Sequence, residues 1–201
     1  MDDSVLIHFG KVGFLIGMGL LIILLPVVWW RRRNLSYLLF FSIFWVYLLF
    51  VVKIVIFPVA INTNYGGPRI MPRINLVPFY VSYCSILVNC VIGILGNIVL
   101  TLPFGFGINF LVRVKRGNFL WLAISVGLVF ELSQLLLSVT FNNNFRSVSI
   151  NDVLLNATGV LLGYALFRVF AWAYLKLTKY FSIKPKGLFA DIYDVVSSSG
   201  P

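Results

Sequence analysis

"GNFLWLAISVGLVFELSQLLLSVT", residues 117–140, is apolar almost throughout, yet it carries a carboxylate, Glu131, within the run. At 1.5 Å per residue such a helix is long enough to cross the ~30 Å hydrocarbon core of a bilayer. A charge at that depth costs at least ~2.5 kcal/mol on insertion scales. The whole chain has only six acidic residues, so spending one here needs an explanation.

The surrounding composition gives the class. Of 201 residues 60% are hydrophobic and 11% charged, and the mean hydropathy is +0.98. A soluble domain of this size shows charge over most of its surface. The reading is an all-α polytopic integral membrane protein, a small bundle of about five transmembrane helices, with no stretch left over for a separate globular domain. The net charge of +10 does not point to nucleic acid, because the basic residues sit in short clusters beside apolar runs, where they set topology and meet anionic headgroups.

Besides residues 119–140, four runs have the ~20-residue length of a span: about 12–30, 35–58, 87–112 and 152–175. Arg31–Arg33, then Arg113, Lys115 and Arg116, then Lys176, Lys179, Lys184 and Lys186 fall on one side. By the positive-inside rule that side is cytoplasmic, leaving residues 1–11 as an extracytoplasmic N-terminus, 12–175 as the membrane domain and 176–201 as a cytoplasmic tail. Trp29, Trp30, Trp121 and Trp172 stand near helix ends, as interfacial anchors do. Lys53, late in the second span, reaches the interface by snorkelling. Positive charge follows the first apolar run rather than preceding it, so that run reads as a retained anchor and not a cleaved signal. The tail reads as mostly disordered apart from a short interfacial helix near "GLFADIYDVV", and the closing "SSSGP" has the composition of an appended linker.

Cys84 and Cys90 lie too far apart for CxxC chemistry and read as small packed side chains. No cluster has metal-ligand spacing and the lone His8 precedes the first helix, so neither a metal nor a cofactor is expected. No phosphate-loop, nucleophile-elbow or dinucleotide fingerprint occurs, and no internal repeat or inverted symmetry supports a secondary transporter.

The polar residues inside the spans carry the functional argument. Helical rise puts Glu131 ~13 Å and Gln134 ~9 Å below the outer end of their helix, on one face with Ser138. On the next helix Asp152, Asn156, Gly159 and Gly163 share a face, and Gly159 with Gly163 permits a close helix approach. A short hairpin connection would put Asp152 at the outer rim, Asn156 one turn deeper and Gly159 level with Glu131; Asn97 reaches a comparable depth. Arg146 is the first choice of cation for Glu131, with Arg69 and Arg73 next. Two readings stand: an outward polar cleft that binds a ligand, and an interhelical clasp in which Glu131, Gln134 and Asn156 only hold the bundle together. In "LTLPFGFGINF", Pro103, Gly105 and Gly107 break or kink the third helix, for packing or for a gate. In "NLVPF", Asn75, Pro78 and Phe79 form either a lid over the cleft or an ordinary surface turn.

"INLVPF" (74–79), "GNIVLTLPFGF" (96–106), "FELSQ" (130–134) and "FRSVSINDVLLNATGVLLGY" (145–164) together resemble the VanZ-like family over roughly residues 35–175. The resemblance implies a small bacterial membrane protein associated with resistance to teicoplanin. It also implies weight on Asn75, Pro78, Phe79, Asn97, Pro103, Gly105, Glu131, Gln134, Arg146, Asp152, Asn156 and Gly159. Where relatives show a more acidic "DxDD", this chain has "SIND" (149–152), which argues against a divalent metal in this loop. The expected function is lowered sensitivity to a lipoglycopeptide through a cleft that takes the drug or an outer-leaflet envelope lipid. Expected partners are membrane lipids, a glycopeptide antibiotic or a cell-wall lipid precursor, with no nucleic acid. A membrane enzyme with Glu131 or Asp152 as base, a lipid carrier, and a structural partner of the cell-wall machinery are the alternatives; no catalytic residue is assigned.

Overall fold

A computed structural model describes residues 4–62, 72–79, 87–142 and 147–198. Arg69, Cys84, Arg146 and the terminal "SSSGP" run beyond Ser198 lie outside the described residues. The helices are α1 (Gly10–Arg32), α2 (Leu35–Val55), α3 (Leu87–Gly107), α4 (Phe119–Thr140), α5 (Ile150–Tyr180) and α6 (Leu188–Ser198). Five helical segments are long and apolar enough to cross a membrane, and the chain is an all-α multi-pass membrane protein. Large side chains such as Ile22, Trp121 and Leu136 are exposed on the outside of the bundle, as lipid-facing residues are.

Four short strands join the helices at the end where α1 starts and α2 finishes. Strand β1 (Ser4–Ile7) pairs antiparallel with β2 (Val59–Asn62). Strand β3 (Arg73–Asn75) pairs in parallel with β4 (Ser147–Ser149), immediately before α5. Three or four residues are too few for alternation to be read from sequence, so these strands were not foreseen.

The centre of the bundle is α5, which packs most extensively on α3 and then on α4. Since α3 and α5 run in the same direction, their contacts climb in step, from Asn97 against Asp152 to Phe106 against Phe167. Glycine makes that seam possible. A Cβ at Gly105 would lie 1.9 Å from the Val160 carbonyl oxygen, one at Gly159 2.1 Å from Thr101 Oγ1, and one at Gly163 2.0 Å from the Leu102 carbonyl oxygen. The close approach expected from Gly159 and Gly163 is therefore made to α3, with Gly105 as its counterpart. Thr101, fully buried, sets its hydroxyl 2.8 Å from the Asn156 carbonyl across the same seam. Against α4 the corresponding contact is Gly127, whose added Cβ would meet the Val153 carbonyl oxygen at 2.5 Å.

Helix α3 is not broken at Pro103. It continues to Gly107 and a short 3-10 turn follows, where Asn109 Nδ2 donates to the Gly105 carbonyl at 2.8 Å. Proline removes one ladder bond, and the tight contact with α5 holds the turn. The tail also departs from expectation. Helix α5 extends to Tyr180, while the short helix expected near "GLFADIYDVV" is present as α6 and docks on the bundle. Both Asp191 oxygens accept, from Asn34 Nδ2 (2.8 Å) and Ser36 Oγ (2.6 Å) at the α1–α2 corner. Val196, 1% exposed, buries against Phe167 and Ala171. Cys90 is disulfide-bonded, so its reading as a free packed thiol is corrected.

The glycine seam predicts an asymmetry between substitutions. Gly163→Ala forces α3 and α5 apart and is expected to cost about 1–3 kcal/mol, the range for overpacking, seen as a lower melting midpoint in detergent. Gly19→Ala, whose Cβ meets nothing within 4 Å, does not lower the midpoint and raises it slightly through the better helix propensity of alanine.

Candidate functional site

Two helices stop where their neighbours continue. Gln134 Nε2 on α4 donates to the Val55 carbonyl at the end of α2, 3.3 Å away. One turn along, Glu131 Oε2 accepts from the Ser149 backbone N–H, 2.8 Å away, at the start of α5. Helix ends leave carbonyls unpaired at the C-terminus and amides unpaired at the N-terminus. An amide donor at the first and a carboxylate at the second match both the hydrogen-bond need and the sign of the helix dipole. Ser149 is itself the N-cap of α5, its side chain accepting from the Asn151 N–H. Glu131 is 4% exposed, so the carboxylate is enclosed.

These bonds change the relative depth of α4 and α5. Glu131 stands beside Ser149, and Gly127 beside Val153. It is not level with Gly159, as a plain hairpin would require. The difference of ten residues corresponds to ~15 Å along α5. Asp152 accordingly lies near the level of Glu131 and not at an outer rim. The cause is β4: the connection runs back along α4 as a strand before α5 begins, with its backbone groups paired to β3 and to Glu131.

Beside the stopped ends lies a cavity of about 570 Å³, bounded by α2, α3, α4, β4 and α5 and reaching the second turn of α5. It gathers Asn97, Glu131, Gln134, Asp152 and Asn156, five of the seven ligand-binding residues expected from sequence. Asn97 Nδ2 donates to Asp152 Oδ1 at 2.9 Å. Asn156 is 2% exposed, and its Oδ1 has no hydrogen-bond partner among the described residues. A buried amide oxygen left unpaired costs on the order of 1–3 kcal/mol, an energy that a ligand donor would recover.

Of the other two expected residues, Arg146 lies outside the described residues, and Asn75 does not line the cavity. Asn75 sits in β3 opposite Ser149, and its Oδ1 accepts from the Val77 N–H at 3.1 Å, an Asx turn. The turn carries Pro78 and Phe79 over the start of α5, where the Phe79 N–H donates to Asn151 Oδ1 at 2.7 Å. The Phe79 ring is 85% exposed. Gly105, Gly159 and Gly163 shape the α3–α5 seam below. Sequence reasoning missed Ser147 on the cavity wall, Ser149 as the cap that meets Glu131, and Tyr47. The Tyr47 hydroxyl donates to the Leu100 carbonyl at 2.8 Å and joins α2 to α3 beneath the cavity. A lone tyrosine within an aromatic span gives no signal of such a bond.

Among known proteins, a family model described as VanZ/LLP1 matches residues 44–171. The match covers well over half of the chain and every cavity-lining residue. No curated protein and no solved structure matches.

The capping role of Glu131 separates two substitutions. Glu131→Ala leaves the Ser149 N–H without its acceptor and is expected to cost about 1–3 kcal/mol, with faster amide exchange at Ser149 and in the first turn of α5. Glu131→Gln keeps an acceptor and holds exchange there close to wild type.

Proposed function

We propose, for a chain that belongs to the VanZ/LLP1 family, a role in lowering sensitivity to a lipoglycopeptide antibiotic such as teicoplanin. In this reading the cavity between α2, α3, α4 and α5 faces outward and binds the polar part of the drug or of an outer-leaflet envelope lipid. The observation that carries the proposal is Asn156, buried at the cavity wall with an unpaired Oδ1 and with Asn97, Glu131 and Asp152 around it. Polar groups gathered in a membrane bundle are costly and mark a binding site by default.

The outward orientation draws on two features. Arg31–Arg33, Arg113, Lys115 and Arg116 cluster at the end opposite the cavity, the end that stays cytoplasmic. The disulfide at Cys90, near the start of α3, belongs in an oxidising compartment. Glycopeptides act outside the cytoplasmic membrane, so a site on that face meets them. Asn156 and Asp152 accept hydrogen bonds from hydroxyl or amide groups of the ligand. Arg146 would supply a bidentate contact to a phosphate or carboxylate.

Expression in a teicoplanin-sensitive bacterial host tests the reading. Wild type is expected to raise the minimal inhibitory concentration several-fold. Asn156→Leu, Asp152→Asn and Arg146→Ala, at matched membrane levels, are expected to return it to the vector value. Full protection by all three variants would refute the cavity as the site of action.

A further inference from the structure

We propose that the cavity is loaded sideways, between the outer halves of α2 and α3, by a membrane amphiphile whose headgroup donates hydrogen bonds. The inference rests on reading the cavity as the binding site, and it names the ligand class and the route. The seam between α2 and α3 is closed in its inner half: tilted ring contacts join Phe40 to Phe110 (4.7 Å) and Phe44 to Phe104 (5.5 Å), and Tyr47 bonds the Leu100 carbonyl. Beyond Tyr47 the two helices are separated by the cavity itself, with Val55 on one side and Gly93 and Gly96 on the other.

The two glycines of the α3 wall are exposed, unlike the glycines of the α3–α5 seam. Gly93 and Gly96 have nothing within 4 Å of an added Cβ, unlike Gly105, Gly159 and Gly163. They are helical, so no turn requires them, and a glycine inside a helix costs roughly 1 kcal/mol relative to alanine. Their absent side chains leave open a strip that a chain-like ligand can occupy. Ile92 and Val99 flank that strip on the same face of α3 and are 63% and 61% exposed, while Ile54 faces them from α2. The lips of the opening are therefore apolar and exposed on the face that meets lipid tails, whereas the inner wall is polar. An amphiphile fits both: its tail lies along Gly93 and Gly96, and its head meets Asp152 and the unpaired Asn156 Oδ1. Because both groups accept, the head must donate, through hydroxyl or amide hydrogens. A ligand that arrived from water would have no use for an apolar lateral mouth.

The test uses purified full-length protein in detergent, monoglucosyl diacylglycerol as the probe, and native mass spectrometry to count bound lipid. Wild type should retain the glycolipid over phosphatidylcholine, which has the same kind of tails but no headgroup donor. Asn156→Leu should lower the bound fraction by about tenfold, the equivalent of ~1.4 kcal/mol. Gly96→Leu, and independently Gly93→Leu, should lower it at least as far without lowering the melting midpoint, since leucine is the better helix former. Gly19→Leu, in open space on α1, should not. Excess methyl glucoside, the head without its tail, should fail to displace the lipid. Unchanged binding in Gly96→Leu and Gly93→Leu, displacement by methyl glucoside, or equal retention of phosphatidylcholine would each overturn the proposal. If the glycolipid does not bind while Asn156→Leu still abolishes teicoplanin protection, this inference falls and the binding-site reading stands. If it binds as expected while Asn156→Leu protects fully, the resistance reading falls instead.

Discussion

The hydrogen bond from the Ser149 N–H to Glu131 fixes where α5 begins, and the rest of the site follows from that position. Helix α4 carries the two groups needed to finish its neighbours. Gln134 closes the carbonyl end of α2 and Glu131 the amide end of α5. In a low-dielectric setting unfinished helix ends are expensive, because no water replaces the missing partners. A chain in which two helices stop short must supply those partners from a helix that goes on. The enclosed carboxylate thus has a structural task that its insertion cost alone does not reveal.

Stopping α2 and α5 early is also what makes room. With α3 and α4 continuing past them, the space is filled partly by β3 and β4 and partly by the cavity. Beneath it the bundle is as close as backbone permits, through Gly105, Gly159 and Gly163. Tight packing there holds Asn97 against Asp152 and Thr101 against Asn156, so the polar wall is set by rigid helices. Clasp and cavity are consequently two aspects of one arrangement: the bonds that end the helices are those that place Asp152 and Asn156 at the cavity.

Much of this was legible in the sequence. Five apolar runs gave the spans within a few residues, because membrane helices are read from composition over a long window. Helical spacing put Glu131 with Gln134 and Asp152 with Asn156, and the structure gathers all four with Asn97. The register between α4 and α5 was not legible. A loop of eleven residues, "FNNNFRSVSIN", fits a simple turn as well as a strand that retraces α4, and only a long-range bond selects the latter. The docking of α6 was hidden for a similar reason: Asp191 looks like a solvated charge until Asn34 and Ser36, some 155 residues earlier, are brought beside it. At Pro103 the break allowed by the sequence is absent, because the packing of α5 on the same turn was not legible beside the local loss of one ladder bond.

The account depends on α5 starting beside Glu131, and cross-linking measures that directly. In a background with Cys84 and Cys90 replaced by serine and Glu131 kept, cysteine pairs at 128 with 154 and at 128 with 162 would be treated in membranes with a short bismaleimide. The account predicts that the 128/154 pair cross-links and the 128/162 pair does not. Cross-linking of 128/162 alone would mean a plain hairpin, with Asp152 far above Glu131, and would contradict both the capping bond and the cavity built upon it.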